Sequence, residues 1–348
     1  MGTGPKRGPS PRFLKERDRH GQGACPQILK LGAGCDKIAL EQMSAQQEKQ
    51  GQAQAGDGSG AGRNGDRPQA GTVPKIPKLA ARRIEIGGFR GLIVSAYDDP
   101  AIIAALANPE SLRSRPGAEV LSEGRNLIVR LPLPLSSGAA ADIIVKDFSS
   151  RGVNRLKSLI LPSKAERAWR GAAALAERGL GTAAPVAWLA KRRSGFVERS
   201  LFLSERIDGA VEVRGLFRDL PAADLHPLLD ALAGLLSAVH TGGILHRDLS
   251  DGNVLVRKGD AGRFEFFFLD TNRIRVRRWL GGLARAKNLI RLGIPASHRE
   301  RFLARYFGRR PPRLHRLWYK INKSVFTSYI ALKRRLRLRR LARALGIQ

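Results

Sequence analysis

The chain has 348 residues, 43% of them hydrophobic, which is room for one or two globular domains with a sizeable core. Its 62 Lys and Arg against 30 Asp and Glu leave a formal charge of +32, a surface that attracts phosphates, anionic membranes or nucleic acid. Cys25 and Cys35 are too few and too far apart for a structural zinc site, and neither a secretory leader nor an unbroken membrane-spanning apolar run is evident, so a cytoplasmic protein is expected, with a membrane surface as its one further address.

In chain order, residues 1–80 lack hydrophobic periodicity and are rich in Gly, Gln, Ala, Pro and basic side chains. The stretch Gln46–Gly71 has almost no large apolar residue, so this tail is expected to be disordered. Met43 opens a segment of the same character and is an alternative start of translation.

Ile84-Glu85-Ile86 alternates, Gly87-Gly88 breaks the pattern, and Asp99-Pro100 opens a short helix through Leu106. Strands are predicted over Ala118–Ser122, Asn126–Leu131 and Ala141–Lys146. The last is an apolar run, Ile143-Ile144-Val145, ended by Lys146, the form of a strand whose Lys pairs with nucleotide phosphates. The plainer reading of Lys146 is a side chain leaving a buried strand for solvent. A helix is expected from Ser163 to Arg178, stopped by Gly179 and Gly181. On it, Glu166 is the acid that would orient Lys146, with Glu177 as the alternative in the last turn. Ser163 and Glu166 also form a capping box, which gives Glu166 a purely structural reading.

Two further strands fit Ala187–Leu189 and Ser200–Ser204, joined by the basic turn 191–195. The segment Glu205–Gly209 reads as the connector between two lobes, where backbone groups at Glu205 and Ile207 would meet an adenine ring. Leu225, Leu228, Leu229, Leu232, Leu235, Leu236 and Val239 then recur at helical spacing and are core residues.

His246-Arg247-Asp248-Leu249-Ser250-Asp251-Gly252-Asn253 reads as the catalytic loop of a protein-kinase-like phosphotransferase. An Asp on such a loop accepts the proton of an attacking hydroxyl, and an Asn five residues on helps to hold metal on the phosphates. The aromatic-rich strand Phe264–Leu269 ends in Asp270, placed to carry the principal metal. The bland alternative is a loop with ordinary salt bridges and a turn at Asp251-Gly252. After Asp270 the chain reads Thr271-Asn272-Arg273-Ile274-Arg275 rather than Phe-Gly, and helical patterns follow around 283–292 and 298–306. From Arg301 onward no Asp or Glu occurs. A last helix is expected from Ser324 to Leu345, with Ile330, Leu332, Leu336, Leu338, Leu341 and Leu345 set among Lys and Arg. Such a helix suits an anionic membrane surface, or packs on the protein and leaves a solvated basic face.

Together these motifs resemble the lipopolysaccharide core kinase family, bacterial enzymes that phosphorylate heptose or Kdo sugars of the inner core. The resemblance rests on the Ile-Val-Lys strand, the loop His246–Asn253 and the Leu-Asp-Thr-Asn-Arg segment from Leu269, and spans about 119–306. It implies an α+β, two-lobed protein-kinase-like fold, with a small β-rich N-lobe over 81–206 and a helical C-lobe over 207–348. It also implies ATP as co-substrate and Mg²⁺ as cofactor. By resemblance Asp248 would be the base, Asn253 and Asp270 the Mg²⁺ ligands, Lys146 the phosphate contact and Glu166 its partner. The acceptor would be a lipopolysaccharide core sugar, or another anionic acceptor, met at the cytosolic face of the inner membrane.

Two departures matter. No Gly-x-Gly-x-x-Gly loop is present, so Ser122-Glu123-Gly124-Arg125 is the turn available over the phosphates; no activation segment ending in Ala-Pro-Glu is present either. Both argue for a small or lipid-linked acceptor. The rival readings are a kinase for another small molecule or protein, a catalytically weak kinase-like scaffold, and a nucleic-acid binder. Intact Asp248, Asn253 and Asp270 oppose the scaffold, and the scarcity of aromatics among the basic runs opposes nucleic acid.

Overall fold

The computed structural model describes residues 80–124, 126–149, 153–259, 262–308 and 310–336. The expected N-terminal tail before Ala80, the Met43 start, Arg125 and everything beyond Leu336 lie outside them.

A seven-stranded antiparallel sheet forms the first half. Strands β1 (Ala81–Ile86) and β2 (Phe89–Val94) make a hairpin through Gly87 and Gly88, at φ 55° and 78°. A two-residue turn of that hand needs both positions left-handed, which glycine adopts without steric penalty. Strands β3 (Glu119–Glu123), β4 (Leu127–Pro134), β5 (Ala140–Ser149), β6 (Pro185–Arg193) and β7 (Phe196–Glu205) complete it in the order β1-β2-β6-β7-β5-β4-β3. The strands read from sequence at 187–189 and 200–204 are the centres of the longer β6 and β7; basic residues 191–193 end β6, and Glu198-Arg199 separates the centre of β7 from its apolar start Phe196-Val197. Strand β2 escaped the sequence reading, because Arg90 and Gly91 interrupt its alternation.

Period-two geometry sorts the two faces of β5. Ile143 and Val145 are buried with Ile93, Leu131, Leu189 and Leu201 in a core that includes Ile102 and Leu106 of α1 (Pro100–Ala107). Asp99 caps α1, accepting from the Ala101 N–H at 2.8 Å. Ile144 and Lys146 point to the other face. There, after the short α2 (Val153–Lys157), helix α3 (Lys164–Ala176) packs Ala165, Ala168, Trp169 and Ala172 against Phe148 and Phe202.

The second half is helical around short strands: β8 (Val211–Glu212), α4 (Val213–Asp219), α5 (Ala222–Thr241), β9 (Ile244–His246), β10 (Val254–Lys258), β11 (Phe264–Phe268), β12 (Ile274–Val276), α6 (Gly282–Asn288), α7 (Arg299–Phe307) and α8 (Arg313–Arg335). Sheets β11-β10-β8 and β12-β9 frame the loop between β9 and β10. Helix α5 is apolar and long enough to cross a membrane. Its Leu225, Leu228, Leu229, Leu232 and Leu236 are instead buried in a core with Phe302, Leu303 and Tyr306 of α7.

The last helix begins at Arg313, not near Ser324. Leu314, Leu317 and Ile321 extend the apolar spacing of the later turns back to Pro312, which lacks an N–H to donate and suits a helix start.

Candidate active site

The two halves meet along a cleft lined by Leu121, Ile144, Lys146, Leu255, Phe268 and Asp270. The connector segment is on the cleft as well: Glu205, Arg206 and Ile207 line it. The connector is pinned to β5, because the Arg206 N–H donates to the Asp142 carbonyl at 2.8 Å and its guanidinium meets the Asp142 carboxylate at 3.1 Å. The Glu205 N–H donates to Ala184 O at 2.8 Å, and burial raises the Glu205 carboxyl above the usual carboxylate range.

Lys146 and Asp270 face each other across this cleft, Nζ to Oδ1 at 3.1 Å. They are 124 positions apart in sequence. The charge of Lys146 keeps the largely buried Asp270 below the ordinary carboxylate range, against the opposing effect of burial. Asp270 has φ 50° and ψ 46°, a left-handed conformation that Asp tolerates better than most residues.

The loop below is held by its own hydrogen bonds. His246 is buried; its Nδ1 accepts from the Asp248 N–H at 3.1 Å, so Nε2 carries the proton donated to Leu269 O at 2.8 Å. The Asn253 amide donates to Asp248 O at 2.8 Å, and the Leu269 N–H donates to Asn253 O at 2.9 Å, which brings Asn253 beside the strand end that bears Asp270. A polar chain supports the loop from below. The Tyr306 hydroxyl donates to His240 Nδ1 at 2.5 Å, His240 Nε2–H donates to Asn288 Oδ1 at 2.9 Å, and Asn288 Nδ2 donates to His246 O at 3.0 Å. Burial pushes His240 down to about 4 and Tyr306 up to about 12.

Asp248 has a partner that sequence reasoning missed. Arg291 lies 2.6 Å from Asp248 Oδ1, an ion pair in poor hydrogen-bond alignment. Its guanidinium also stacks over Phe326 of α8, 5.7 Å from the ring centre. Lys323 fixes the same turn by donating to Ile290 O and Leu292 O at 2.7 and 2.8 Å. Spacing gave no signal for Arg291, which is one of many arginines in a basic stretch.

Glu166 is placed differently from the expectation. Its carboxylate pairs with Arg170 one turn along α3, while Lys146 pairs with Asp270. Ser163 supplies the cap, accepting from the Glu166 N–H at 3.0 Å. Glu177, just after α3, pairs with Arg178, so neither candidate acid pairs with Lys146.

Among the described residues no group of three or more His, Cys, Asp and Glu converges to hold a metal. The pair Asn253 and Asp270 nevertheless fits Mg²⁺, which takes hard oxygen ligands and needs only one or two from protein when phosphates supply the rest. The Asn253 amide nitrogen is already engaged, which leaves its oxygen as the side-chain donor.

A β-rich half that lowers a strand lysine onto a strand-end aspartate, above a His-Arg-Asp loop, is the build of a protein-kinase-like phosphotransferase. The comparisons narrow the class. Residues 154–305, somewhat under half of the chain, are similar to the model described as Lipopolysaccharide kinase (Kdo/WaaP) family. A solved structure of WaaP in complex with acyl carrier protein is 21% identical, covers 65% of this chain and 92% of that one, and has a TM-score of 0.46. Among curated proteins none matches the chain.

Proposed function

We propose that the protein transfers the γ-phosphoryl group of ATP to a hydroxyl of an inner-core sugar of lipopolysaccharide. The observation that carries this reading is the pairing of Lys146 with Asp270 in the cleft, beside a loop whose Asn253 is tied to the Asp270 strand end and to Asp248. Adenine would lie against Glu205 and Ile207, and Lys146 would contact the phosphates. Asn253 and Asp270 would hold Mg²⁺, which when bound neutralises phosphate charge. Asp248 would take the hydroxyl proton, and the acceptor would displace the Arg291 contact it makes now. Positioning and charge stabilisation supply most of the rate in such a transfer, which suits a loop tied as tightly as this one.

Helix α8 supports a membrane-surface location for this reaction. It carries seven Lys or Arg and no acid, and Leu314, Leu317, Ile321, Val325 and Leu332 form an exposed apolar stripe along it, continued by Leu336 just beyond its end. Such a helix lies in the interface of an anionic bilayer, so we place the enzyme at the cytosolic membrane face, where a lipid-linked acceptor is presented.

The test is the mass of core oligosaccharide from cells with and without the protein. Loss of one phosphate equivalent in the deletion, restored by the wild-type chain but not by Lys146→Met, is expected. An unchanged core would refute this acceptor.

A further inference from the structure

Helix α3 touches the segment after Asp270 without an intervening side chain. A Cβ on Gly171 would stand 2.1 Å from Thr271 O, and the Thr271 hydroxyl donates to Ala168 O at 2.9 Å. That contact sets Arg167, next to Ala168, beside Arg273 and Arg275. The catalytic loop adds a fourth arginine, since the Arg247 N–H donates to Arg273 O at 3.1 Å while β9 and β12 pair Leu245 with Arg275.

Among the described residues none of these four arginines forms an ion pair, whereas Arg130, Arg170, Arg199, Arg206, Arg257 and Arg301 each have a carboxylate. Glu166, the acid nearest in sequence to Arg167, is taken by Arg170, and Asp270, which feels the charge of Arg273, is taken by Lys146. The Arg167 Nε is buried with no hydrogen-bond partner. Burial first, then the charges of Arg275, Arg273 and Arg247, hold the Arg167 guanidinium below its ordinary value. Four guanidiniums gathered without an acid repel one another, and a buried donor left unmade is costly. An anion offering several acceptor oxygens removes both penalties at once, because guanidinium forks match phosphate and carboxylate.

We propose that Arg167, Arg247, Arg273 and Arg275 form an anion-binding site that receives a phosphate or carboxylate carried by the acceptor. Arg247 adjoins Asp248, so an anion held there anchors the acceptor beside the base and selects acceptors that are already charged. The proposal rests on the kinase reading for its occupant, but the site itself is testable without turnover.

Inorganic phosphate is the probe, titrated calorimetrically into the full chain. Lys146→Met removes the phosphate contact of the nucleotide cleft, so binding that survives there belongs to the arginines. Arg273 is exposed and Arg275 half-buried, which makes Arg273→Gln with Arg275→Gln a variant that should fold; its melting temperature checks this. The expected result is phosphate binding retained in Lys146→Met and weakened at least tenfold in the double variant, whose ATP affinity stays within twofold of wild type. Unchanged phosphate affinity in the double variant overturns the site.

A second arm identifies the source of the anion. Wild-type enzyme should show a higher kcat/KM on core oligosaccharide than on the same material with phosphates removed and carboxylates reduced, and the double variant should lose that preference through KM. A preference unchanged in the variant overturns the acceptor assignment. So does a phosphoryl group found by intact mass on the chain itself, if its removal by phosphatase exposes the phosphate site. Phosphate binding through the arginines in a protein that never phosphorylates core oligosaccharide supports the site and refutes the proposed reaction.

Discussion

Lys146 meets Asp270, the acid its motif assigns to the metal, while Glu166, the acid expected to orient Lys146, meets Arg170 instead. Asp270 meets Lys146 at 3.1 Å from a left-handed backbone position, a conformation that costs of the order of 1 kcal/mol and aims the carboxylate into the cleft. Asp270→Asn keeps the shape and removes the charge. It should lower Mg²⁺-ATP affinity at least tenfold, while affinity for ATP without metal changes far less; equal losses in both titrations would remove Asp270 from the metal. Glu166 pairs with the exposed Arg170 at i,i+4, an interaction that contributes about 0.3–0.5 kcal/mol. Glu166→Gln should therefore leave turnover within about threefold and move the melting temperature by roughly a degree or two. A large fall in turnover would show that Lys146 exchanges partners during catalysis. Of the capping box read from Ser163 and Glu166, the Ser163 half is there, while the Glu166 carboxylate pairs with Arg170 instead. The partner of Lys146 was not legible, because pairing across 124 positions is decided by how β5 and β11 are set against each other.

At the scale of elements, α5, α6 and α7 support the catalytic loop through the chain Tyr306, His240, Asn288, His246. The apolar spacing of α5 showed a core helix but gave no role to His240, which is the buried link at its end. Its sign with pH is definite. The folded value of about 4 lies below the ordinary 6.5, so the fold favours neutral imidazole and the unfolded chain takes up the proton first. Stability is therefore intact above pH 6.5 and falls as pH drops toward 4. At pH 5 this amounts to about 2 kcal/mol, at 1.36 kcal/mol per unit over about 1.5 units. Urea midpoints should fall accordingly between pH 7 and 5, with a flatter profile in His240→Asn; identical slopes would exclude His240 as the source. Helix α8 is the other element with its own test. Leu317, Ile321 and Val325 stand more than half-exposed or nearly so on one stripe. Changing Ile321 and Val325 to Gln should release the protein from anionic vesicles without altering turnover on a lipid-free acceptor. Unchanged co-sedimentation would mean that the stripe does not meet the bilayer.

For the whole molecule, the net charge of +32 gave the class of partner but no location. The fold resolves it into places: the exposed face of α8, the four arginines between α3 and the catalytic loop, and Arg291 against Asp248. The two-lobed plan was legible because its signals are local, namely a strand ended by Lys146, an eight-residue loop and a strand ended by Asp270. The arginine cluster was not, because it joins a helix, a loop and a strand that touch only after folding. The central proposal is transfer of phosphate to an acceptor hydroxyl with Asp248 as the base. The direct measurement is transfer of label from γ-labelled ATP to purified core oligosaccharide, with Mg²⁺, by wild type and by Asp248→Asn. Label should appear in the oligosaccharide with wild type and fall at least a hundredfold in the variant, whose ATP affinity is retained, since removal of a general base is worth 10²–10⁴ in rate. Transfer by Asp248→Asn at the wild-type rate, or none by the wild-type protein, would contradict the account.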